Sequence, residues 1–168
     1  PMAGFQQFSF ELWIRTAPAH NRGGMLMAFG NRNDGDTNDG STDRKLWINN
    51  DGSVTAGIYC NTSCVPGAGT RLVNSGTTLV NDGNWHHIVM TYDYLDYGGT
   101  AVPGTLKLYI NGGDGTTLGT PFAYNGTGLA QTNYNAYLKM FSGRPWAAGA
   151  GAKRHNDDQF EGSIDEIV

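Results

Sequence analysis

Three groups of residues in this chain have side chains that could act on another molecule. The first is aromatic. Trp146 stands in a polar, Gly/Ala-rich stretch from 143 to 158, beside Arg144. Tyr134 and Tyr137 lead into the apolar run just before that stretch, and Tyr94 and Tyr97 lie among Asp93 and Asp96. A flat ring offers an apolar face to the C–H face of a sugar, while nearby amides and carboxylates bond the hydroxyls. The same rings could instead pack their own loops. The second group is acidic. In Asp34-Gly-Asp-Thr-Asn-Asp-Gly40, the residues Asp34, Asp36 and Asn38 alternate. Oxygen ligands at that spacing can wrap a hard cation such as Ca²⁺. An EF-type loop wants Gly at its sixth position and Glu at its twelfth, where this chain has Asp39 and Lys45, so the match is partial. The alternative is a solvated polar loop.

The third group is the histidines. His86 and His87 are adjacent, so on a strand they point to opposite faces and cannot chelate one ion together. His20 and His155 are distant in sequence, and no Cys-x-x-Cys pair joins them, so zinc is not expected. Either strand histidine with Tyr92 could in principle move a proton. Packed strand residues are the expected reading. Glycoside hydrolysis needs two carboxyls about 5–9.5 Å apart. The nearest acid cluster, Glu161, Asp165 and Glu166, has the wrong spacing, and no Gly-x-Ser-x-Gly elbow occurs. The chain is expected not to be an enzyme.

The elements that must carry these residues are strands. The 168 residues contain Gly 25, and glycine costs about 1 kcal/mol in a helix interior relative to Ala. No long amphipathic helix stands out. Phe8, Phe10, Leu12 and Ile14 alternate with Ser9, Glu11, Trp13 and Arg15, the period of a half-buried strand. Met25 to Phe29 is a short apolar run. Leu46 to Ile48 and Val54 to Tyr59 flank Asn49-Asn50-Asp51-Gly52, a hairpin signal. Thr77 to Val80 precedes the turn Asn81 to Asn84. Trp85 to Tyr92 is apolar or aromatic on both parities and should be a central strand covered on both faces. Leu106 to Ile110 should pair with Leu118 to Phe122, and Tyr137 to Phe141 and Phe160 to Val168 add strands. Trp13, Trp47 and Trp85 fall within strands, where core packing is expected. About nine or ten short strands with regular turns predict an all-β sandwich or jelly roll.

The formal charge of -4 comes from Lys+Arg 11 and Asp+Glu 15. Eleven dispersed cations do not make a nucleic-acid binder, which needs clustered charge against phosphate. No run of about 18 apolar residues exists, so no membrane insertion is expected. The chain opens on Pro1 and ends on Ile167-Val168. We expect one domain, residues 1–168, cut from a larger multidomain protein.

Four segments resemble the laminin G-like, concanavalin A-like jelly rolls, the lectin and glucanase fold. Phe8-Ser-Phe-Glu-Leu-Trp-Ile-Arg15 is similar to their opening strand, and Asp82-Gly-Asn-Trp-His-His-Ile-Val-Met-Thr-Tyr-Asp93 to their Asp-Gly-x-Trp-His-x-Val segment. Gly104-Thr-Leu-Lys-Leu-Tyr-Ile-Asn-Gly112 resembles their hairpin, and Phe160-Glu-Gly-Ser-Ile-Asp-Glu-Ile167 their closing strand. His87-Ile-Val-Met-Thr-Tyr92 is also distantly similar to the pentraxin signature, with Val89 and Tyr92 replacing its Cys and Trp.

The resemblance implies two antiparallel sheets packed face to face. It implies an extracellular module, secreted or at the cell surface, attached to other domains of a parent protein. Lectin-like binding of a poly- or oligosaccharide is the expected function. A calcium-dependent, protein-binding adhesion module is the alternative, and a catalytic jelly roll the third reading. Jelly-roll glycosidases of this kind carry acids in a Glu-x-Asp-x-x-Glu run, which is absent here. The family's closing-strand aspartate, Asp165 here, often joins backbone carbonyls around a structural Ca²⁺; its alternative use is to cap backbone amides. An extracellular setting also implies a disulfide between Cys60 and Cys64, against the alternative of two free thiols.

Overall fold

The computed structural model describes residues 7–19, 21–30, 42–60, 69–93, 96–97, 100–101, 104–111, 122–126, 137–140 and 160–168. No helix occurs among them. The strands in chain order are β1 (Gln7–Arg15), β2 (Gly24–Gly30), β3 (Thr42–Ile48), β4 (Ser53–Cys60), β5 (Gly69–Leu79) and β6 (His86–Asp93), followed by β7 (Asp96–Tyr97), β8 (Thr100–Ala101), β9 (Gly104–Asn111), β10 (Phe122–Gly126), β11 (Tyr137–Met140) and β12 (Ser163–Asp165). One five-stranded sheet has the order β10-β9-β6-β1-β12, and a second the order β11-β2-β3-β4-β5. The two are called here the terminal sheet and the hairpin sheet. β7 and β8 form a separate two-stranded ribbon. Every pairing is antiparallel.

The sandwich forms because alternation gives each sheet one apolar face. From the terminal sheet come Phe10, Leu12 and Ile14 of β1, Ile88, Met90 and Tyr92 of β6, and Leu106 and Leu108 of β9. From the hairpin sheet come Leu26, Met27, Leu46, Ile48, Val54, Ala56, Ile58 and Val73. Each large side chain so buried contributes about 1.5–3 kcal/mol. β6 occupies the centre of its sheet, and His86 to Met90 are all buried, as both-parity hydrophobicity predicts.

Alternation breaks in β2. The register shifts between Met25 and Met27. That extra residue lets Leu26 and Met27 both join the core, while Met25 and Ala28 cluster with Trp47 apart from it. Trp47 is therefore buried, as expected, but in a second cluster.

β5 is longer than its apolar residues suggest. Of its first eight residues, only Leu72 and Val73 are large and apolar, and Val73 alone of the two is buried. The buried Ser75 does the rest: its hydroxyl accepts from Val54 N–H (2.9 Å) and donates to Thr78 O (2.6 Å). These bonds stand in where the β4–β5 register shifts. The strand returning from β9 is also displaced, to Phe122–Gly126, and β3 starts earlier than Leu46, at Thr42.

The last residues of the chain are tied into the terminal sheet. β12 pairs with β1, Trp13 facing Asp165 and Arg15 facing Ser163. The backbone then kinks at Glu166 (φ 43), and Val168 exchanges both hydrogen bonds with Glu11 (2.9 and 3.0 Å).

Candidate functional site

Most of the residues singled out in the sequence lie outside the described residues: Trp146, Arg144, Tyr134, Tyr94, Asp34, Asp36 and Cys64. Tyr137 opens β11 opposite Gly30, Tyr97 sits in β7 opposite Thr100, and Cys60 ends β4 opposite Gly69. Asp165 is fully placed. It is exposed on β12, and its Oδ1 accepts the backbone N–H of Glu166 (2.9 Å), the amide-capping use. Ca²⁺ takes six to eight oxygens. Among the described residues, no three His, Cys, Asp or Glu side chains converge.

The described residues instead assemble a site on the outward face of the terminal sheet. Leu12 and Ile14 point inward, so Glu11, Trp13 and Arg15 must point out. In register with Trp13 stand His87 on one side and Asp165 on the other. The Trp13 and His87 rings are stacked, 4.9 Å between centroids and 17° between planes. His87 is 7% exposed, and its Nε2 lies 2.7 Å from Glu11 Oε1. Its Nδ1 is buried with no hydrogen-bond partner among the described residues. The imidazole is thus held at one nitrogen by a carboxylate and on one face by an indole. Trp13 itself is only half-buried. One indole face is spent on His87; the other is turned away from it.

A second aromatic contact lies beside the first. The Arg15 guanidinium sits 5.2 Å from the Trp85 ring centroid, a cation–π distance. Arg15 is exposed and Trp85 half-buried. Trp13 and Trp85 are therefore not core residues, against the expectation for tryptophans within strands. The signal was available: Trp13 shares its parity with Ser9, Glu11 and Arg15, not with the apolar set.

His86 faces the other way. It pairs with Ile14 in register, is buried, and places Nε2 2.8 Å from Asp82 Oδ1. Asn84 donates its backbone N–H to Asp82 Oδ1 and its side-chain amide to Oδ2, both at 2.9 Å. These bonds, the one from His86 foremost, hold the Asp82 carboxyl well below the usual carboxylate range, although partial desolvation raises it. An ionised carboxylate only accepts, so Nε2 carries the proton of this bond. Tyr92 points inward, its ring 5.9 Å from that of Phe8. No His87–Tyr92 proton-transfer pair forms, because the two residues face opposite sides of the sheet.

The hairpin sheet carries a polar network. Trp47 Nε1 donates to Asn49 Oδ1 (2.9 Å), and Asn49 Nδ2 donates to Thr55 Oγ1 (2.8 Å) and Ser53 Oγ (3.0 Å). Asn74 Nδ2 reaches the same two hydroxyls at 2.8 and 3.2 Å. Its donors and acceptors are engaged with one another, which locks the β3–β4 hairpin.

A family model described as the concanavalin A-like lectin/glucanases superfamily, of laminin G type, matches residues 1–168. The chain belongs to this family. The all-β architecture with two packed antiparallel sheets is the family's jelly-roll sandwich. Among solved structures, this laminin G-like domain is similar to the binding domain of botulinum neurotoxin serotype G. The identity is 16% and the TM-score 0.46; the match covers 81% of this chain and 28% of that one. No curated protein matches.

Proposed function

We propose that this laminin G-like domain is a non-catalytic glycan-binding module of a larger secreted or cell-surface protein. The observation that carries the reading is Trp13, half-exposed on the outward sheet face and lying flat on His87, which Glu11 holds in turn. A sugar stacks on an aromatic plane only if that plane is available and costs little to order. A partly exposed tryptophan on a strand paired on both sides, with one ring face clamped, meets both conditions. Glu11 and Asp165 supply carboxylates beside it for hydroxyl groups. Trp146, Arg144, Tyr134, Tyr137, Tyr94 and Tyr97 are proposed to extend the same surface from the loops. Structural Ca²⁺ at Asp34 and Asp36, and at Asp165, belongs to the same proposal.

The test begins with a glycan array, followed by affinity-gel retardation on the polysaccharide identified. Retardation should fall for Trp13→Ala and, through the loop, for Trp146→Ala. An array without a hit, or retardation unchanged in both variants, would overturn the reading. A protein partner captured reversibly in Ca²⁺ but not in EDTA would replace it with the adhesion alternative.

A further inference from the structure

The cations on the outward face of the terminal sheet narrow the kind of glycan it would take, on the reading that this face binds glycan at all. Leu106 and Leu108 point into the core, so Lys107 and Tyr109 of β9 point outward, on the same face as Glu11, Trp13 and Arg15 of β1. Arg15 is exposed and Lys107 half-buried. Among the described residues, neither makes a hydrogen bond or an ion pair through its side chain. The acids nearby are otherwise engaged, Glu11 with His87 (2.7 Å) and Glu161 with Arg22 (3.2 Å). Arg15 is also held in place, its guanidinium 5.2 Å from the centroid of the Trp85 ring. A cation–π contact spends none of a guanidinium's five N–H donors. The charge of both cations is thus left for something outside the protein.

Lys107 stands in register with Thr91, and Thr91 with Ser9. Lys107 is therefore two strands across and six residues along from Arg15, about 22 Å at ordinary sheet spacings. The line between them crosses β6 between His87 and Val89, both buried, with Trp13 and Tyr109 half-buried at its sides. A guanidinium fork meets a planar carboxylate through two parallel hydrogen bonds. Two cations this far apart suit a polymer of sparse charge. A heavily sulfated or phosphate-rich chain needs clustered cations, and the net charge of -4 repels it. We infer that the outward face of the terminal sheet takes a uronic-acid polysaccharide, with one sugar carboxylate on the Arg15 fork and another, several residues along the same chain, at Lys107.

The experiment compares oligouronates with their carboxyl methyl esters, which keep the sugar rings and remove the charge. Dimers and hexamers of galacturonate, mannuronate and glucuronate are titrated at neutral pH, in EDTA so that no divalent ion bridges sugar and protein. Wild type should bind at least one hexamer about three- to tenfold more tightly than its ester, as one or two exposed ion pairs supply. Added salt should erode that preference. Arg15→Gln should reduce it at both lengths. Arg15→Lys should restore only part, because an ammonium keeps the charge and lacks the fork. Lys107→Gln should weaken the hexamer and leave the dimer unchanged, because a dimer cannot span the two cations. Unchanged melting temperatures would verify that these substitutions leave the sandwich intact. Equal binding of acid and ester, a preference untouched by Arg15→Gln, or a hexamer indifferent to Lys107→Gln overturns this inference. Tighter binding of a sulfated oligosaccharide of the same length overturns it equally. Glycan hits with no oligouronate among them overturn it and leave the glycan-binding reading standing. Absence of any glycan binding removes that reading as well.

Discussion

Replacing Asp82 by Ala tests how the turn before β6 is held and, through it, how His87 and Trp85 are positioned. In the native protein, His86 is 5% exposed, and among the described residues its side chain hydrogen-bonds only from Nε2 to Asp82. The variant leaves both ring nitrogens of a buried imidazole unbonded, at a cost of about 1–3 kcal/mol. It also removes the turn bond from Asn84 N–H, worth about 0.5–1 kcal/mol. The total is about 1.5–4 kcal/mol. At about 2–4 °C per kcal/mol for a domain of this size, the melting temperature should fall by about 3–16 °C.

The pH dependence of that difference has a definite sign. Asp82 has a lowered carboxyl pKa in the folded protein, so its contribution is present above the unfolded value, about 3.9. The gap between wild type and Asp82→Ala should be full near neutrality. It should narrow once pH drops below about 4 and close only as pH passes the lower, folded value. Asp82 is half-exposed, so the narrowing is damped by solvent. Thermal melts followed by circular dichroism from neutral to acidic pH measure both effects. Equal melting temperatures at neutral pH would refute the claim that Asp82 supports His86. A gap that widened with acidification would refute the sign.

Leu12→Ala empties a fully buried position of β1 and should cost about 2–5 kcal/mol, read as a lower urea midpoint at constant m-value. An unchanged midpoint would mean that the two apolar faces are not packed as described. For the proposed Ca²⁺, the melting temperature should rise with added ion and return on EDTA. No response to either would remove Ca²⁺ from the proposal.

The fold was legible because a strand needs only a parity. The apolar set of β1, the Asn49–Gly52 turn and the both-parity run of β6 each read directly as structure. Gly52 adopts φ +88 at the end of its turn, a conformation that disfavours any other residue. Elements built by polar groups were not legible. Ser75 takes the place of a hydrophobic residue in β5, and nothing in its local pattern says that its hydroxyl will bridge β4. The β2 bulge hid for a similar reason: Gly24 to Phe29 is apolar at almost every position, so no parity remains to reveal a shifted register. For the site, tryptophan within a strand suggests core, yet Trp13 shares its parity with the outward Glu11 and Arg15. Parity was the better guide, because burial of one sheet face fixes the direction of every neighbour on the strand.

The adjacent His86 and His87 illustrate the consequence for function. The same residue type, one position apart, meets Asp82 on the inward side and Glu11 on the outward side. The inward pair fastens the turn that starts β6. The outward pair fixes the ring on which Trp13 lies. Because the two side chains leave one backbone segment in opposite directions, the register that sets His86 beneath Ile14 also sets His87 against Trp13. A one-residue slip of β6 would turn His87 inward, taking its imidazole away from both Trp13 and Glu11. The indole platform is therefore held by the pairing of the strands that make the core. Its geometry should survive loop substitutions that leave β1, β6 and their register intact.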